Sequence, residues 1–326
     1  MKRFNKILLV VDPTEPCVPL MERSVAFAEN SQAALTVVSV VPRVVVAAGL
    51  PEDGPVTLEV QAALVAEQVQ RLEALAAPFR DRLSIRTKVL TGTPFLEVVR
   101  EVLRDAHDLV IRAPENPGWL DRLFGSDDMH LLRKCPCPVW LARCDGSKSY
   151  RRILAAVDVD DSYPVEEIAT RRAMNHEILA LAGALALSEF AELHVVSVWE
   201  ALGEQFLRGA FMNAPDEKVA SYVEHARQRN AASLEALMRE LSDILGRDAV
   251  DYVQPKTHLV KGWARREIPA LAEQLEVNLV VMGTVGRTGI PGFIMGNTAE
   301  SILEQLDCSV LAIKPPGFIT PVALNA

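Results

Sequence analysis

The feature that most constrains the fold of this 326-residue chain is an internal repeat, because its second half copies its first. The first half opens with KILLVVDP and the second with RILAAVDV, so each apolar run ends in an aspartate, Asp12 or Asp158. Later landmarks keep their order and spacing, 21 residues for Gly92–Ala113 and Gly262–Gly283, and 12 residues for Gly125–Cys137 and Gly296–Cys308. This agreement predicts two domains, residues 1–147 and 148–326, rather than one large doubly wound domain.

Each half alternates apolar runs with segments of helical periodicity. The runs at 34–42 and 192–200 share the string VVSV, and the segments 57–78 and 215–245 read as long helices. Strands that alternate with helices predict βαβ units, a parallel sheet and right-handed crossovers. Runs without polar alternation suit strands that are covered on both faces. The predicted fold class is therefore α/β, with two tandem five-stranded, parallel, doubly wound domains of Rossmann-like type.

Composition and charge argue against several classes of partner. The net charge is −9 and no Lys/Arg-rich block stands out, which argues against nucleic acid. No apolar run reaches the roughly 18 residues that a membrane span needs. The opening MKRFNKILLVVDP lacks a cleavage site and reads as a first strand, not a signal peptide. The five cysteines are odd in number and mostly lie near apolar strands, so we expect the reducing cytoplasm as the compartment of this protein.

A glycine-rich loop follows the apolar run NLVVM in the second half. It reads GTVGRTGIPGFIMGNTAE, with glycines at 283, 286, 289, 292 and 296. Glycines let backbone N–H groups approach a phosphate, and a helix N-terminus near Asn297 adds favourable partial charge. The loop matches neither G-x-x-x-x-G-K-[ST] nor G-x-G-x-x-G, which argues against a P-loop NTPase or a dehydrogenase. Asp158 and Val198, at the ends of two other strands, should lie on the same edge of the sheet as this loop.

The spacing Gly283-x2-Gly286-x9-Gly296-Asn297 resembles the ATP-binding signature of the universal stress protein (UspA) superfamily. The V-D ending of the first strand, HVVSV and the closing CSVLAIKP resemble that family too, and the two halves resemble its tandem members. The resemblance covers all but about the last ten residues. It implies an adenine nucleotide alpha hydrolase-like fold that binds ATP, or AMP or ADP, with or without Mg²⁺.

Matched position by position, the resemblance implies a role for each site residue. Asp158 would contact the ribose or adenine, and the backbone of Val198 would bind the adenine edge. The ribose and phosphates would be held by Gly283, Gly286, Arg287, Gly296, Asn297 and Thr298. Asn297 stands where Ser or Thr is commoner, but Asn is also a good N-cap.

The first half departs from this pattern. Its loop reads APENPGWLDRLFG, with Ala113 in place of Gly283 and Glu115-Asn116 near the position of Gly286. Prolines and an acidic residue replace permissive backbone, and Glu115 would repel a phosphate. Of the pattern only Asp12, Val40 and Gly125-Ser126 are kept. We therefore expect no ATP in the N-terminal half.

No catalytic or metal-binding constellation is predicted. Cys135-Pro136-Cys137 lacks the ligand number and spacing of a zinc site, and the six histidines form no H-x-x-x-H or H-E-x-x-H motif. His194 lies in an apolar strand and is expected in the core or at its rim. No serine lies in a G-x-S-x-G elbow, so we predict no enzyme, although slow ATP hydrolysis stays open.

The leading interpretation is a regulatory, ATP-binding stress-response protein with protein partners that the sequence does not identify. The family resemblance also implies that CPVWLAR and CSVLAIK pair the halves as an intramolecular pseudo-dimer, and further homodimerisation stays open. An alternative is a nucleotide-free module that binds a partner protein or an apolar ligand through segments 43–60 and 200–216. A third interpretation, an ATP pyrophosphatase or adenylating enzyme, is disfavoured because VDVDDS and VDPTEP replace the expected SGG-D-S loop.

Overall fold

The computed structural model of the chain describes residues 4–44, 54–114, 127–144, 149–209, 212–284 and 295–324. These residues form two compact units. The N-terminal unit holds the described residues up to Cys144 together with the tail from Phe318, and the C-terminal unit holds those from Ser149 to Gly317. The pairing of the two halves stays a prediction.

The N-terminal unit is a five-stranded parallel sheet with helices between its strands. The strands are β1 (Lys6–Val10), β2 (Ala34–Val41), β3 (Ile85–Thr91), β4 (Leu109–Arg112) and β5 (Val139–Leu141). The helices are α1 (Val18–Ser31), α2 (Pro55–Ala76), α3 (Pro94–Asp105) and α4 (Asp127–Lys134), with a 3₁₀ turn at Ala77–Phe79. The strand order is β3-β2-β1-β4-β5, and every pair in it is parallel. The C-terminal tail lies on this unit, where Arg100 Nε donates a hydrogen bond to the Ala323 carbonyl at 3.3 Å.

The C-terminal unit has the same topology. Its strands are β6 (Arg152–Val157), β7 (Glu192–Trp199), β8 (Lys256–Lys261), β9 (Leu279–Gly283) and β10 (Ser309–Ile313). Its helices are α5 (Val165–Glu189), α6 (Glu204–Arg208), α7 (Asp216–Leu245), α8 (Arg247–Val253), α9 (Ala264–Gln274) and α10 (Asn297–Leu303). The order β10-β9-β6-β7-β8 places the first strand of the unit between the second and the fourth, as in the N-terminal unit.

These observations confirm the predicted fold class. The long helices α2 and α7 lie within two residues of the predicted segments 57–78 and 215–245. The central strands are apolar on both faces, as predicted for covered parallel strands, and all five residues of β10 are buried. The short helices α6 and α8 were not predicted, because five and seven residues are too few for a clear helical period.

Two matching glycines support the duplication at the level of backbone geometry. Gly92 follows β3 with φ +144°, and Gly262 follows β8 with φ +149°. A Cβ added at either position would lie within 2.8 Å of a glutamate Cγ five residues further along the chain, that of Glu97 or Glu267. Such backbone favours glycine. The two halves therefore share the backbone conformation of the turn after their third strand, in addition to the spacing of their landmarks.

Within the described ranges, no helix combines the length and the apolar character that a membrane span requires.

Candidate functional site

The C-terminal unit has a topological switch point between β6 and β9. The chain runs from β6 outward to β7 and β8, and then returns to the other side of β6 as β9. The last paired residues of these neighbours are Ala156 and Met282, so Asp158 and Gly283 follow at the carboxyl ends of adjacent strands. Crevices at this place bind ligands in open parallel sheets. The structure thus brings two of the sequence-predicted site residues to the same crevice.

Val198 lies at the same edge, one strand further along. The ladder between β6 and β7 ends at the pair Val157–Ser197, one residue before Val198. On its other side Val198 pairs with Val260 of β8. Val198 therefore extends beyond its β6 neighbour, which is the arrangement that a backbone contact with a ligand requires.

Asp158 is already engaged by groups of the protein. The Asn175 side chain makes two hydrogen bonds with the backbone of Asp158. The Asn175 side-chain oxygen accepts from the Asp158 N–H at 3.0 Å, and Asn175 Nδ2 donates to the Asp158 carbonyl at 2.7 Å. One carboxylate oxygen accepts from the Asp160 N–H at 3.2 Å, and the other lies 2.5 Å from Arg171. Burial raises the pKa of Asp158 above its ordinary value, and the Arg171 charge opposes that rise. Both carboxylate oxygens therefore have partners within the protein.

Arg171 is held on several sides. Its guanidinium carbon lies 3.4 Å from the centroid of the Tyr163 ring, and a second nitrogen lies 3.3 Å from the Glu167 carboxylate. Its side chain is only 16% exposed. Burial, helped by the Asp158 charge, raises the pKa of Tyr163 to about 12, so Tyr163 is a neutral phenol at physiological pH. The aspartate, the arginine and the tyrosine form one packed group beside the crevice.

A pocket of about 240 Å³ opens beside this group, between α5, α7 and the loop after β6. Its charged lining consists of Asp158, Asp160, Asp161, Arg171, Arg172 and Glu240. Arg172 and His176 both contact the Glu240 carboxylate across the two helices. Neither Val198 nor Gly283 lines the pocket. Of the predicted site residues that the structure describes, the pocket therefore shares Asp158 alone.

Gly283 is closely packed by a helix. An added Cβ would lie 2.1 Å from Cε of Met174 in α5, so the missing side chain makes room for Met174 as well as for any ligand. The next residue, Thr284, is fully buried, and its N–H and hydroxyl both donate to the Ile313 carbonyl at 3.1 and 3.2 Å. The Gly296 N–H donates to the Thr284 carbonyl at 3.0 Å. The two ends of the glycine loop are therefore joined.

The far end of the loop leads into α10. Gly296 is the N-cap of this helix and has extended backbone, with φ −67° and ψ 137°. Asn297 and Thr298 follow in the first turn, and both are exposed. Gly286 and Arg287 lie outside the described residues, so their predicted roles stay predictions.

In the N-terminal unit an ion pair lies at the end of β4. Arg112, the last residue of β4, lies 3.0 Å from the Asp128 carboxylate in the first turn of α4, and the two side chains are 12% and 9% exposed. The repeat makes Met282 and Ala299 the equivalent residues in the C-terminal unit. A buried ion pair thus stands where the C-terminal unit has two buried apolar residues.

In the N-terminal unit, the aspartate that matches Asp158 has a local hydrogen-bond partner. The Asp12 carboxylate accepts hydrogen bonds from the N–H and hydroxyl of Thr14 at 2.8 and 2.6 Å. Residues 115–126, with the predicted departures at Glu115 and Asn116 and the retained Gly125-Ser126, lie outside the described residues.

The structure contains a disulfide that the sequence analysis did not predict. It joins Cys17 and Cys144. The two are 127 residues apart, and proximity over that distance cannot be read from the sequence. Cys135 and Cys137 are buried free thiols with their sulfurs 3.5 Å apart, and Cys308 is a third buried thiol.

One group of side chains in the described residues has metal-ligand geometry. The ligand atoms of Glu101, Asp105 and His107 lie within 4.8 Å of one another. Lys88 Nζ, however, lies 2.7 Å from both oxygens of the fully buried Glu101, and Arg104 lies 3.4 Å away. A divalent cation at this place would meet two positive charges, so the contacts indicate an ion-pair network.

His194 is buried, as predicted for a residue of an apolar strand. Its Nδ1 is 2.9 Å from Nε2 of His258 on the neighbouring strand, and the two rings stack. Burial lowers the pKa of both imidazoles. A neutral pair can share one hydrogen, which accounts for the contact.

The sequence interpretation missed the part that α5 plays at the crevice. Glu167, Arg171, Met174 and Ile178 recur at i, i+4, i+7 and i+11 and therefore lie on one helix face. Arg171 reaches Asp158, and Met174 and Ile178 lie against Gly283. Helical periodicity after Asp158 was the signal that could have identified them.

Comparisons with known proteins agree with the duplicated fold. The model of the "Universal stress protein family" matches residues 3–143 and again residues 149–314. The chain is 27% identical to Universal stress protein E of Salmonella typhi, over 100% of this chain and 99% of the relative. It is 30% identical to Universal stress protein E of Escherichia coli (strain K12), over 71% of this chain and 68% of the relative.

Solved structures agree in fold. A functionally unknown protein from Pseudomonas aeruginosa PAO1 superposes with a TM-score of 0.67 at 23% identity, covering 96% of this chain and 93% of the other. A universal stress protein from Archaeoglobus fulgidus superposes with a TM-score of 0.59 at 17% identity, covering 96% and 97%. At these identities the likeness concerns the fold alone.

Proposed function

Because the chain belongs to the universal stress protein family and carries two matches to that family in tandem, we propose that its C-terminal domain is a regulatory adenine-nucleotide-binding domain. One observation carries the proposal. Asp158 and Gly283 follow adjacent strands at the switch point, and the glycine loop that starts at Gly283 returns to the same edge at Gly296.

Each part of a nucleotide has a counterpart at this edge. The ribose or adenine would contact Asp158, and the adenine edge would bind the backbone of Val198 beyond its β6 neighbour. The phosphates would lie against the glycine loop, with Gly286, Arg287, Asn297 and Thr298 around them. Permissive backbone and the N–H groups of a first helical turn suit an anion. ATP, ADP or AMP fits this description, with or without Mg²⁺.

Arg171 would compete with a bound nucleotide for the Asp158 carboxylate. A ribose hydroxyl that donates to Asp158 must share the carboxylate with the guanidinium 2.5 Å away. Binding would therefore rearrange the group that Arg171 forms with Tyr163 and Glu167. In this proposal, that rearrangement is how an occupied site changes the protein surface that partner proteins contact.

The N-terminal domain, residues 1–147, is proposed to bind no nucleotide. The Arg112–Asp128 ion pair occupies the end of β4, and Asp128 adds a negative charge at the first turn of α4. A phosphate there would meet that carboxylate. The protein is proposed to be non-catalytic, and incubation with ATP and Mg²⁺ followed by product analysis tests for slow hydrolysis.

A nucleotide-free module is the second candidate, and specific contacts favour it. The Asp158 carboxylate is satisfied inside the protein, and packing against Met174 is sufficient to account for Gly283. Leu202 and Phe206 in segment 200–216 are 74% and 66% exposed and could meet an apolar ligand or partner. Mass spectrometry of molecules released from the purified chain separates the candidates, since a copurified apolar compound without nucleotide would favour this one.

Isothermal titration calorimetry of the full chain with ATP, ADP and AMP, with and without Mg²⁺, tests the first proposal. Wild type should bind with a stoichiometry of one, and Gly286→Glu should abolish binding by placing a carboxylate at the phosphates. Asn116→Glu, which puts the same charge into the N-terminal copy of the loop, is the matched control and should bind like wild type. Absence of binding by wild type would refute the proposal, and equal loss in both variants would refute the assignment to the C-terminal half.

A further inference from the structure

The Cys17–Cys144 disulfide joins two chain segments at the carboxyl edge of the N-terminal sheet. Cys17 lies in the connection from β1 to α1, and Cys144 is the third residue after β5. In the strand order, β4 lies between β1 and β5. The bond therefore ties together the segments on either side of the end of β4. That edge includes the switch point between β1 and β4, the N-terminal counterpart of the crevice at Asp158.

The C-terminal unit has no equivalent bond. The spacing of the repeat makes Tyr163 the counterpart of Cys17 and Pro315 the counterpart of Cys144. Tyr163 instead stacks on Arg171 beside Asp158. The two halves thus secure the connection after their first strand differently: covalently in the first half, and by packing in the second.

The bond is open to attack by thiols. Cys144 is exposed and Cys17 is half-buried. The other three cysteines are buried, and the contact with Cys135, followed by burial, raises the pKa of the Cys137 thiol well above its ordinary value. A thiolate is the nucleophile in disulfide exchange, so the Cys137 thiol is a poor competitor for the bond. Exchange with external thiols is therefore directed to the Cys17–Cys144 pair.

The position of Cys17 also makes its sulfur a good leaving group in disulfide exchange. Cys17 is the N-cap of α1, a position usually held by a Ser, Thr, Asp or Asn oxygen. Its carbonyl accepts the first helical hydrogen bond from the Met21 N–H at 3.1 Å. An N-cap side chain accepts a hydrogen bond from the N–H two or three residues further along the helix. Because Pro19 has no N–H, the donor available to the Cys17 sulfur is the Leu20 N–H. A thiolate there also gains from the positive end of a 14-residue helix.

We propose that the Cys17–Cys144 disulfide is a thiol-reducible strap that fixes the β1–α1 connection at the carboxyl edge of the N-terminal domain and releases it on reduction. The reductant is a small thiol such as glutathione, or a dithiol protein. In reducing compartments, disulfides are mostly transient and redox-sensing, which is the behaviour that this strap would have.

The chemistry balances over two exchanges. A thiolate attacks the sulfur of Cys144, the more exposed of the two residues, the bond to Cys17 breaks, and Cys17 leaves as a thiolate at the helix N-terminus. A second thiolate then attacks the sulfur of the first reductant molecule and releases the Cys144 thiolate. Two electrons and, after protonation, two protons reach the protein, and the two thiols become one disulfide.

Peptide mapping and thiol counting on the full chain, purified without reductant, test the bond itself. Three free thiols and a Cys17–Cys144 linked peptide are expected, rising to five thiols in mixtures rich in reduced glutathione. Return of the linked peptide in oxidised glutathione shows reversibility. Five thiols that oxidised glutathione does not convert to the linked peptide would overturn the proposal, as would a bond that reduced glutathione opens only in denaturant.

Hydrogen exchange by mass spectrometry tests the release. Wild type should exchange about tenfold faster over residues 11–20 when reduced than when oxidised, with residues 152–199 unchanged. Cys144→Ser should exchange like reduced wild type in both buffers, whereas the matched control Cys308→Ala should keep the full redox response. Equal exchange of oxidised and reduced wild type over 11–20 would overturn the strap. Nucleotide binding by the other half does not enter any of these readouts.

Discussion

The Arg171 guanidinium lies 2.5 Å from the Asp158 carboxylate, the group expected to meet the ribose or adenine of a nucleotide. The Arg171 side chain is 16% exposed, whereas the Asp158 side chain, at 41%, is still reachable from solvent. The same α5 face supplies Met174 against Gly283 on the neighbouring strand. Helix α5 therefore contacts both sides of the switch-point crevice. Substitutions on α5 can distinguish residues that stabilise the domain from residues that bind a ligand.

Arg171→Met should destabilise the C-terminal domain by about 1–2 kcal/mol, because it leaves the Asp158 carboxylate without its charged partner and removes a side chain that is only 16% exposed. Urea unfolding followed by circular dichroism measures the loss. The adjacent Arg172→Met is the matched control, since Arg172 is 63% exposed, and it should cost less than about 0.5 kcal/mol. Equal costs for the two variants would contradict a structural role of the Asp158–Arg171 pair.

Thr298→Asp should weaken nucleotide binding by at least about tenfold without loss of stability. The aspartate repels phosphates, yet an acidic group in the first turn of α10 stabilises the helix by about 0.3–1 kcal/mol. The repeat supplies the matched control, because the N-terminal equivalent of Thr298 is Asp127. Asp127→Thr should leave nucleotide affinity unchanged by calorimetry. Unaltered affinity in Thr298→Asp would contradict a phosphate near this turn.

Sequence spacing was sufficient for the order of elements and for the edge where the crevice lies. The halves share landmarks such as Gly92 and Gly262, and these have the same left-handed backbone. Asp158, Val198 and Gly283 follow strand ends, and strand ends in a parallel sheet meet at one edge. These parts depend on local pattern and topology, which a sequence carries directly.

The side-chain partners could not be predicted in the same way. Arg171 meets Asp158 only because α5 packs with one face toward β6 and β9, and the rotation of a helix on a sheet depends on its whole packed face. Cys17 meets Cys144 through the closure of a complete domain. Contacts of this kind depend on tertiary packing, for which a single sequence holds no spacing rule.

Gly283→Ala should cost about 1–2 kcal/mol of unfolding free energy, because its Cβ would lie 2.1 Å from Met174 Cε and would force that side chain into another rotamer. In a Met174→Ala background the same change should cost less than about 0.5 kcal/mol, a coupling that a double-mutant cycle measures. An undiminished cost in that background would contradict the packing role. Calorimetry with ATP adds a second readout: weakened affinity in both backgrounds would indicate that a ligand also needs the glycine.

His107→Leu should remove part of the acid sensitivity of the N-terminal domain. His107 is buried, neither ring nitrogen makes a hydrogen bond of normal geometry within the described residues, and burial lowers its pKa. Between that lowered pKa and the ordinary 6.5, the unfolded chain binds more protons than the native one, so stability falls as pH falls through this window. The slope from this one group cannot exceed about 1.4 kcal/mol per pH unit. Urea unfolding at several values between pH 5 and 8 should show a shallower slope for His107→Leu, while the exposed His225→Leu should keep the wild-type slope. A wild-type slope in His107→Leu would mean that the buried imidazole is not what sensitises this domain to acid.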